Sequence, residues 1–259
     1  MKKSEKGIES MMNFMNQMES IQFQCLKTLI RAFSSLESNL KEENRRLFEE
    51  KFNKAFIECG KNMKKENNAV NKDFLSTIRN NFQFFEEVGL LTEKKMIKIL
   101  CGFINSENKD ERSLVAEILL NLSKNKAASK IMSEKLNTKE VYTALQEKDK
   151  AGALKEFIIK ILLNLSPHKK SLQEKIMEYP PILRIFVQYL EKAIRNADEN
   201  KDFLINLCQL LTTLVEYYPI KAQISQYGIY SVLSMARITS HDDHMKEEIL
   251  KLIDKLATI

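Results

Sequence analysis

The sequence predicts an all-α chain built by repetition of one helical unit, and three observations carry that expectation. The hexapeptide Ile-Leu-Leu-Asn-Leu-Ser occurs at 118–123 and again 43 positions later at 161–166. Only six Gly and four Pro stand among 259 residues, and no Pro precedes Pro167, so there are few places to break a helix or build a turn-rich β fold. Apolar residues from Met12 to Leu40 recur at spacings of mostly three, four or seven, as a helix with one buried face requires.

Taken in chain order, residues 1–87 read as a helical N-terminal region. Met12, Met15, Met18, Cys25, Leu29, Phe33, Leu36 and Leu40 share one helix face, which implies one long amphipathic helix or two shorter ones. A second stripe, Leu47, Phe48, Phe52, Phe56 and Cys59, runs up to Gly60, where a helix stop is expected. The polar stretch Lys61 to Asn71 reads as a loop or weak helical link, and Phe74, Ile78, Phe82 and Phe85 resume the apolar face. This region suits degenerate repeats that cap the first exposed face of a repeat stack. A coiled-coil arm is the alternative, although its flanking charges are irregular.

Residues 88–259 carry the repeats. Each hexapeptide is followed by a like segment, Lys130-Ile131-Met132 after the first and Lys175-Ile176-Met177 after the second. A looser third copy begins at Gln209, with Leu210, Leu211 and Leu214 at its apolar positions and Tyr227-Gly228 at the matching distance. A period in the forties belongs to solenoids of two- or three-helix repeats, for which roughly 40 to 47 residues is typical. Chain-turning corners are expected at Gly89, Pro180-Pro181 and Gly228, because Gly adopts positive φ and Pro cannot continue a preceding helix.

This pattern resembles the armadillo repeat, in which a third helix ends in an Asn-Leu-Ser-like tail and a first helix then runs up to a Gly or Pro corner. The resemblance covers about residues 85 to 259; HEAT-type repeats share the period. It implies a right-handed α-solenoid of armadillo-like helical repeats with a helical N-terminal cap region.

Charge and composition narrow the function. The net charge is +6, yet the basic residues are mostly Lys interleaved with Glu, as in Lys41-Glu42-Glu43-Asn44-Arg45-Arg46 and Glu147-Lys148-Asp149-Lys150. Such runs are solvated helix surface, which argues against a nucleic-acid site. Cys25, Cys59, Cys101 and Cys208 form no CxxC pair and read as buried thiols, with neither a zinc site nor a disulfide framework. No stretch approaches the ~18 apolar residues of a membrane span, and the first twenty residues lack a signal-peptide core, so a cytoplasmic location, or the nucleus or cilium, is expected.

Chemistry-bearing motifs are absent. There is no P-loop, GxGxxG, HExxH or GxSxG, and the expectation is a non-enzyme that uses no cofactor. His241-Asp242-Asp243-His244 is the one metal-capable cluster, and it reads as a helix start whose Ser240 and aspartates cap free amides, with no metal.

What the resemblance implies about function lies on the third helices. In nuclear-import armadillo proteins these present a Trp and, four residues later, an Asn that clamps the main chain of an extended peptide. Here the Asn position matches Asn121 and Asn164, with Thr213 in the third repeat; the Trp position holds Glu117, Lys160 and Gln209. The chain has no Trp, so backbone clamping carries over while stacking of lysine stems between indoles does not. Asn121 and Asn164 also fit a second reading, in which they end their helices by local bonds. Glu117 and Lys160 would give the groove alternating charge, which selects a partner of mixed charge.

The expected function is a protein-binding adaptor that holds another protein, or an extended segment of one, in the concave groove. The alternatives are an armadillo-type co-chaperone or assembly factor and a structural component of a cytoskeletal or ciliary assembly. A helical-repeat DNA-repair enzyme would need aromatic and acidic residues in a basic cleft, and the aromatics here read as core.

Overall fold

The computed structural model describes Gln24, Thr28 and residues 42–61, 68–146, 153–195, 200–239 and 242–258. The stripe from Met12 to Leu40, the Glu147–Lys150 charge run and His241 lie outside the described residues. Every regular element among the described residues is helical. The chain divides into two compact units, residues 1–118 and 119–259.

The first unit contains α1 (Glu42–Lys61), α2 (Asn68–Asn80), α3 (Phe82–Glu87), a 3-10 turn (Leu90–Thr92), α4 (Lys94–Gly102), a second 3-10 turn (Phe103–Asn105) and most of α5 (Lys109–Ser123). Its core is aromatic: the Phe56 ring stacks 5.0 Å from Phe74 and lies 4.8 Å from Phe85, and all three are fully buried. Phe82, by contrast, is only half-buried. Helix α1 continues through Gly60 to Lys61, so the expected stop is not there. The glycine serves close packing instead, since a Cβ on it would stand 3.1 Å from Phe74 Cζ. Asn68 to Asn71, expected in a link, already belong to α2. Val88 and Gly89 do form a corner, with Gly89 at φ 71°, a conformation that costs an L-residue roughly 1–2 kcal/mol.

The second unit begins in the last turn of α5 and continues through three helical triads. These are α6 (Lys126–Lys135), α7 (Thr138–Gln146) and α8 (Ala153–Asn164); then, after a 3-10 turn at Ser166–His168, α9 (Lys169–Glu178), α10 (Pro181–Arg195) and α11 (Lys201–Leu214); then α12 (Tyr218–Gln226), α13 (Ile229–Thr239) and α14 (Asp243–Ala257). First helix packs on first (α6 on α9), second on second (α7 on α10 on α13) and third on third (α8 on α11 on α14). That layering is what a helical repeat means physically: each triad buries its apolar surface against its neighbours.

The expected corners sit between first and second helices, Pro180-Pro181 joining α9 to α10 and Gly228, at φ 72°, joining α12 to α13. The triad α6–α8 has no Gly or Pro there. Its corner is Leu136-Asn137, where Leu136 is extended and Asn137 Oδ1 accepts from the amides of Lys139 and Glu140 at 3.1 and 3.4 Å, capping α7.

The repeated hexapeptide packs as its spacing requires. Leu119, Leu122, Leu162, Leu165, Leu211 and Leu214 are all at most 1% exposed. Cys59, Cys101 and Cys208 are buried thiols, and burial pushes Cys208 up to about 12. At the end of α14, Lys221 Nζ donates to the Lys255 and Thr258 carbonyls and Tyr230 Oη to that of Leu256. Side chains thus satisfy carbonyls that the last helical turn leaves without partners.

Candidate functional site

The third helices α5, α8, α11 and α14 present side chains in rows, because equivalent positions recur at fixed offsets. Along α5 and α8, Ile118, Leu119, Leu122 and Ser123, and Ile161, Leu162 and Leu165, are buried, while Leu120, Asn121, Leu163 and Asn164 are half-buried. Helix α11 repeats this burial pattern 49 positions after α8, with Leu210, Leu211, Leu214 and Val215 buried and Thr212 and Thr213 half-buried. Helix α14 continues it: Met245, Glu248, Ile249, Leu252 and Leu256 are buried, 41 positions after Leu204, Leu207, Cys208, Leu211 and Val215. The Lys201–Asp242 ion pair at 2.5 Å joins residues at the same separation and sets α14 beside α11.

Glu117, Asn121, Lys160, Asn164, Gln209 and Thr213 are all half-buried, and the last five fall on one stripe of the second unit that the described residues leave partly exposed. Glu117 falls in the first unit, one turn before Asn121 on the same helix; the other five belong to the second. On α8 the stripe is Glu156, Phe157, Lys160, Leu163 and Asn164, and on α11 it is Phe203, Asn206, Gln209, Thr212 and Thr213. Residues three, four and seven apart share a helix face, which is why these fall together.

Several polar residues of the stripe have side-chain partners. Asn164 Nδ2 donates to Ser123 Oγ at 2.8 Å, and Asn121 Oδ1 accepts from Lys124 Nζ at 3.3 Å. One N–H and the carbonyl of Asn164, and both N–H groups of Asn121, have no bond in these pairs, so each amide can still engage a main chain. Thr213 Oγ1 donates to the Gln209 carbonyl and Thr212 Oγ1 to that of Cys208, which uses each hydroxyl proton inside the helix and leaves only acceptor capacity. Gln173 Nε2, from α9, donates to the Thr213 carbonyl at 3.0 Å and braces the end of α11.

The alternating charge read from Glu117 and Lys160 is balanced locally. Lys160 Nζ lies 2.5 Å from Glu156 one turn earlier, and Glu117 lies 3.6 Å from Arg79 of α2 within the first unit. Both pairs are more than a third exposed, so each contributes little to stability. Their consequence is electrostatic: neither charge is offered to a partner without its counter-ion.

One row, Leu120, Leu163, Thr212 and Ile253, was not singled out from the sequence, nor were the α14 members of the two rows that were: Asn121, Asn164 and Thr213 continue to Asp254, and Lys160 and Gln209 to Leu250. The fourth member escaped because α14 lacks the Asn-Leu-Ser tail and reads Leu250-Lys251-Leu252-Ile253-Asp254. The signal was the period, which the buried positions of α14 keep although its letters do not. Asp242 is the N-cap of α14, accepting from Met245 N at 2.9 Å; the Lys201 ammonium bonded to it holds its carboxyl below the usual range.

No protein-family model matches the chain, and no curated protein matches it. Among solved structures it is similar to a designed armadillo repeat protein in complex with the peptide (KR)4, at 12% identity and a TM-score of 0.59, over 93% of this chain and 98% of that one. It is also similar to an engineered protein, at 13% identity and a TM-score of 0.53, over 90% of this chain and 96% of that one. At these identities the likeness concerns the fold. With its stacked triads and its corners between first and second helices, the chain has an all-α, armadillo-like helical-repeat fold.

Proposed function

We propose that the chain is a non-enzymatic scaffold that binds another protein by holding an extended segment of it along the third-helix face. The observation that carries this reading is the row Asn121, Asn164 and Thr213: half-buried, in register on successive third helices, with two asparagine amides that retain donors and acceptors and a threonine hydroxyl that retains acceptor capacity. A main chain offers alternating N–H and C=O groups, which such a row can bind whatever the side chains are. The designed armadillo protein that shares the fold is in complex with a peptide, which supports the general mode. Lys160 and Gln209 flank the row and set its selectivity. A cytoplasmic location is part of this proposal; no described helix is long and apolar enough to cross a membrane.

The test uses a partner recovered by affinity purification and titrated against the purified chain. Asn121→Ala with Asn164→Ala weakens binding while the chain stays folded. Exchanging Glu156 and Lys160 keeps the ion pair and changes association rate and salt dependence, as charges at a rim do. Unchanged affinity in the double Asn variant and unchanged salt dependence in the exchanged variant would remove the third-helix face as the site.

A further inference from the structure

We infer that the third-helix face selects an extended segment with apolar side chains at alternate positions and disfavours strongly charged ones. This rests on the reading of that face as the binding surface and adds the chemistry of what it takes. The row Leu120, Leu163, Thr212 and Ile253 is half-buried throughout, lies beside the amide row, and falls entirely within the second unit. Thr212 has its hydroxyl proton bonded to the Cys208 carbonyl, so what it adds to the row is chiefly its methyl group. Phe157 and Leu250, also half-buried, extend the apolar surface to either side.

Successive side chains of an extended segment point to opposite sides, so a main chain held by Asn121, Asn164 and Thr213 turns every second side chain onto this row. Completing the burial of half-exposed aliphatic groups is favourable in proportion to the area removed from water. Charge complementarity argues the same way. Lys160 is matched by Glu156 at 2.5 Å, and Gln209, Thr212 and Thr213 are neutral. The charges of the row stand at its two ends, Lys124 bonded to Asn121 on α5 and the exposed Asp254 on α14, and between those ends a lysine-, arginine- or aspartate-rich segment would lose hydration with no unmatched counter-charge to receive it. The occupant is therefore a near-neutral, apolar segment of another protein in extended conformation.

The test selects displayed random peptides on the immobilised full chain and titrates the enriched sequences as synthetic peptides. Aliphatic or aromatic residues at alternate positions, with few Lys, Arg, Asp or Glu, are expected. Leu120→Gln with Leu163→Gln should weaken those peptides at least ~10-fold, the amount that incomplete burial of one large aliphatic side chain is worth. Circular dichroism establishes that this variant is folded. Thr212→Leu, a gain-of-function variant that loss of folding cannot mimic, should tighten them several-fold. Enrichment of charged peptides, or no enrichment at all, overturns the inference. Peptides lost by Asn121→Ala with Asn164→Ala but indifferent to the Leu and Thr212 variants overturn the apolar row and leave the clamping reading standing. Peptides indifferent to all of these variants overturn both.

Discussion

Asn164, the last residue of α8, donates from Nδ2 to Ser123 Oγ, the last residue of α5, at 2.8 Å, and Ser123 in turn donates to the Leu120 carbonyl at 2.7 Å. The Asn of the second hexapeptide copy is thus bonded to the Ser of the first. Asn164 ends its helix as the sequence suggested, but its bond reaches back to the preceding third helix instead of into the turn that follows.

That bond separates the two asparagines energetically. Asn164→Ala should cost about 0.5–1.5 kcal/mol, the usual net worth of an intramolecular hydrogen bond. Asn121→Ala, whose exposed partner is Lys124, should cost less than ~0.5 kcal/mol. Chemical denaturation of the two single variants checks this; equal costs would mean the Asn164–Ser123 bond carries no stability.

Leu162 is 1% exposed at the stacked surface of α8, and Leu162→Ala should destabilise by roughly 2–5 kcal/mol. A midpoint unchanged from the parent in denaturant would show that the hexapeptide does not sit where layers meet.

Much of this fold was legible because the repeat writes its own register. Leu119, Leu122, Leu162 and Leu165 recur at one spacing, and the layers bury them. Gly89, Pro180-Pro181 and Gly228 are residues whose backbone chemistry turns a chain. Leu136-Asn137 was not legible, because a corner made from an extended Leu and an Asn cap uses residues that also occur mid-loop. Gly60 misled, since a glycine that admits the Phe74 ring looks in sequence like one that ends a helix. Of the candidate site, the Asn row followed from the hexapeptide, whereas Ile253 and Leu250 lie in a helix whose letters have drifted and only burial aligns them. The pairing of Lys160 with Glu156 was open to sequence reasoning through their four-residue spacing; that of Glu117 with Arg79 joins α5 to α2, 38 positions earlier, as does Lys72 with Asp110.

Three glycines should respond differently to alanine. Gly228→Ala should cost roughly 1–2 kcal/mol through its positive φ, although nothing lies within 4 Å of a new Cβ. Gly60→Ala should destabilise for another reason, contact with Phe74 at 3.1 Å. Gly102, helical at φ −64° and open on all sides, should become more stable by about 0.4–1 kcal/mol as Ala. Thermal melts of the three variants, ranked against the parent, are the check.

Glu216 accepts from Lys169 Nζ at 2.7 Å and from Lys255 Nζ at 3.1 Å, and these bonds hold its carboxyl below the ordinary 4.5. A depressed carboxyl stabilises the fold above its unfolded value and loses that contribution as pH falls through the folded one. Glu216→Gln should therefore be less stable than the parent at neutral pH, with the difference shrinking on acidification below 4.5. Denaturation midpoints measured across that range report it; a pH-independent difference would mean the two lysines do not act through the charge.

The central claim is that the partner lies along the third helices, and site-specific photo-crosslinking tests it most directly. A photoreactive residue placed at Lys160 or Gln209, on the stripe, is compared with one at Arg184 or Gln188, exposed on the second helix α10. Crosslinks to the bound partner from Lys160 and Gln209, and none from Arg184 and Gln188, are predicted; crosslinks from α10 with silence on α8 and α11 would contradict the account.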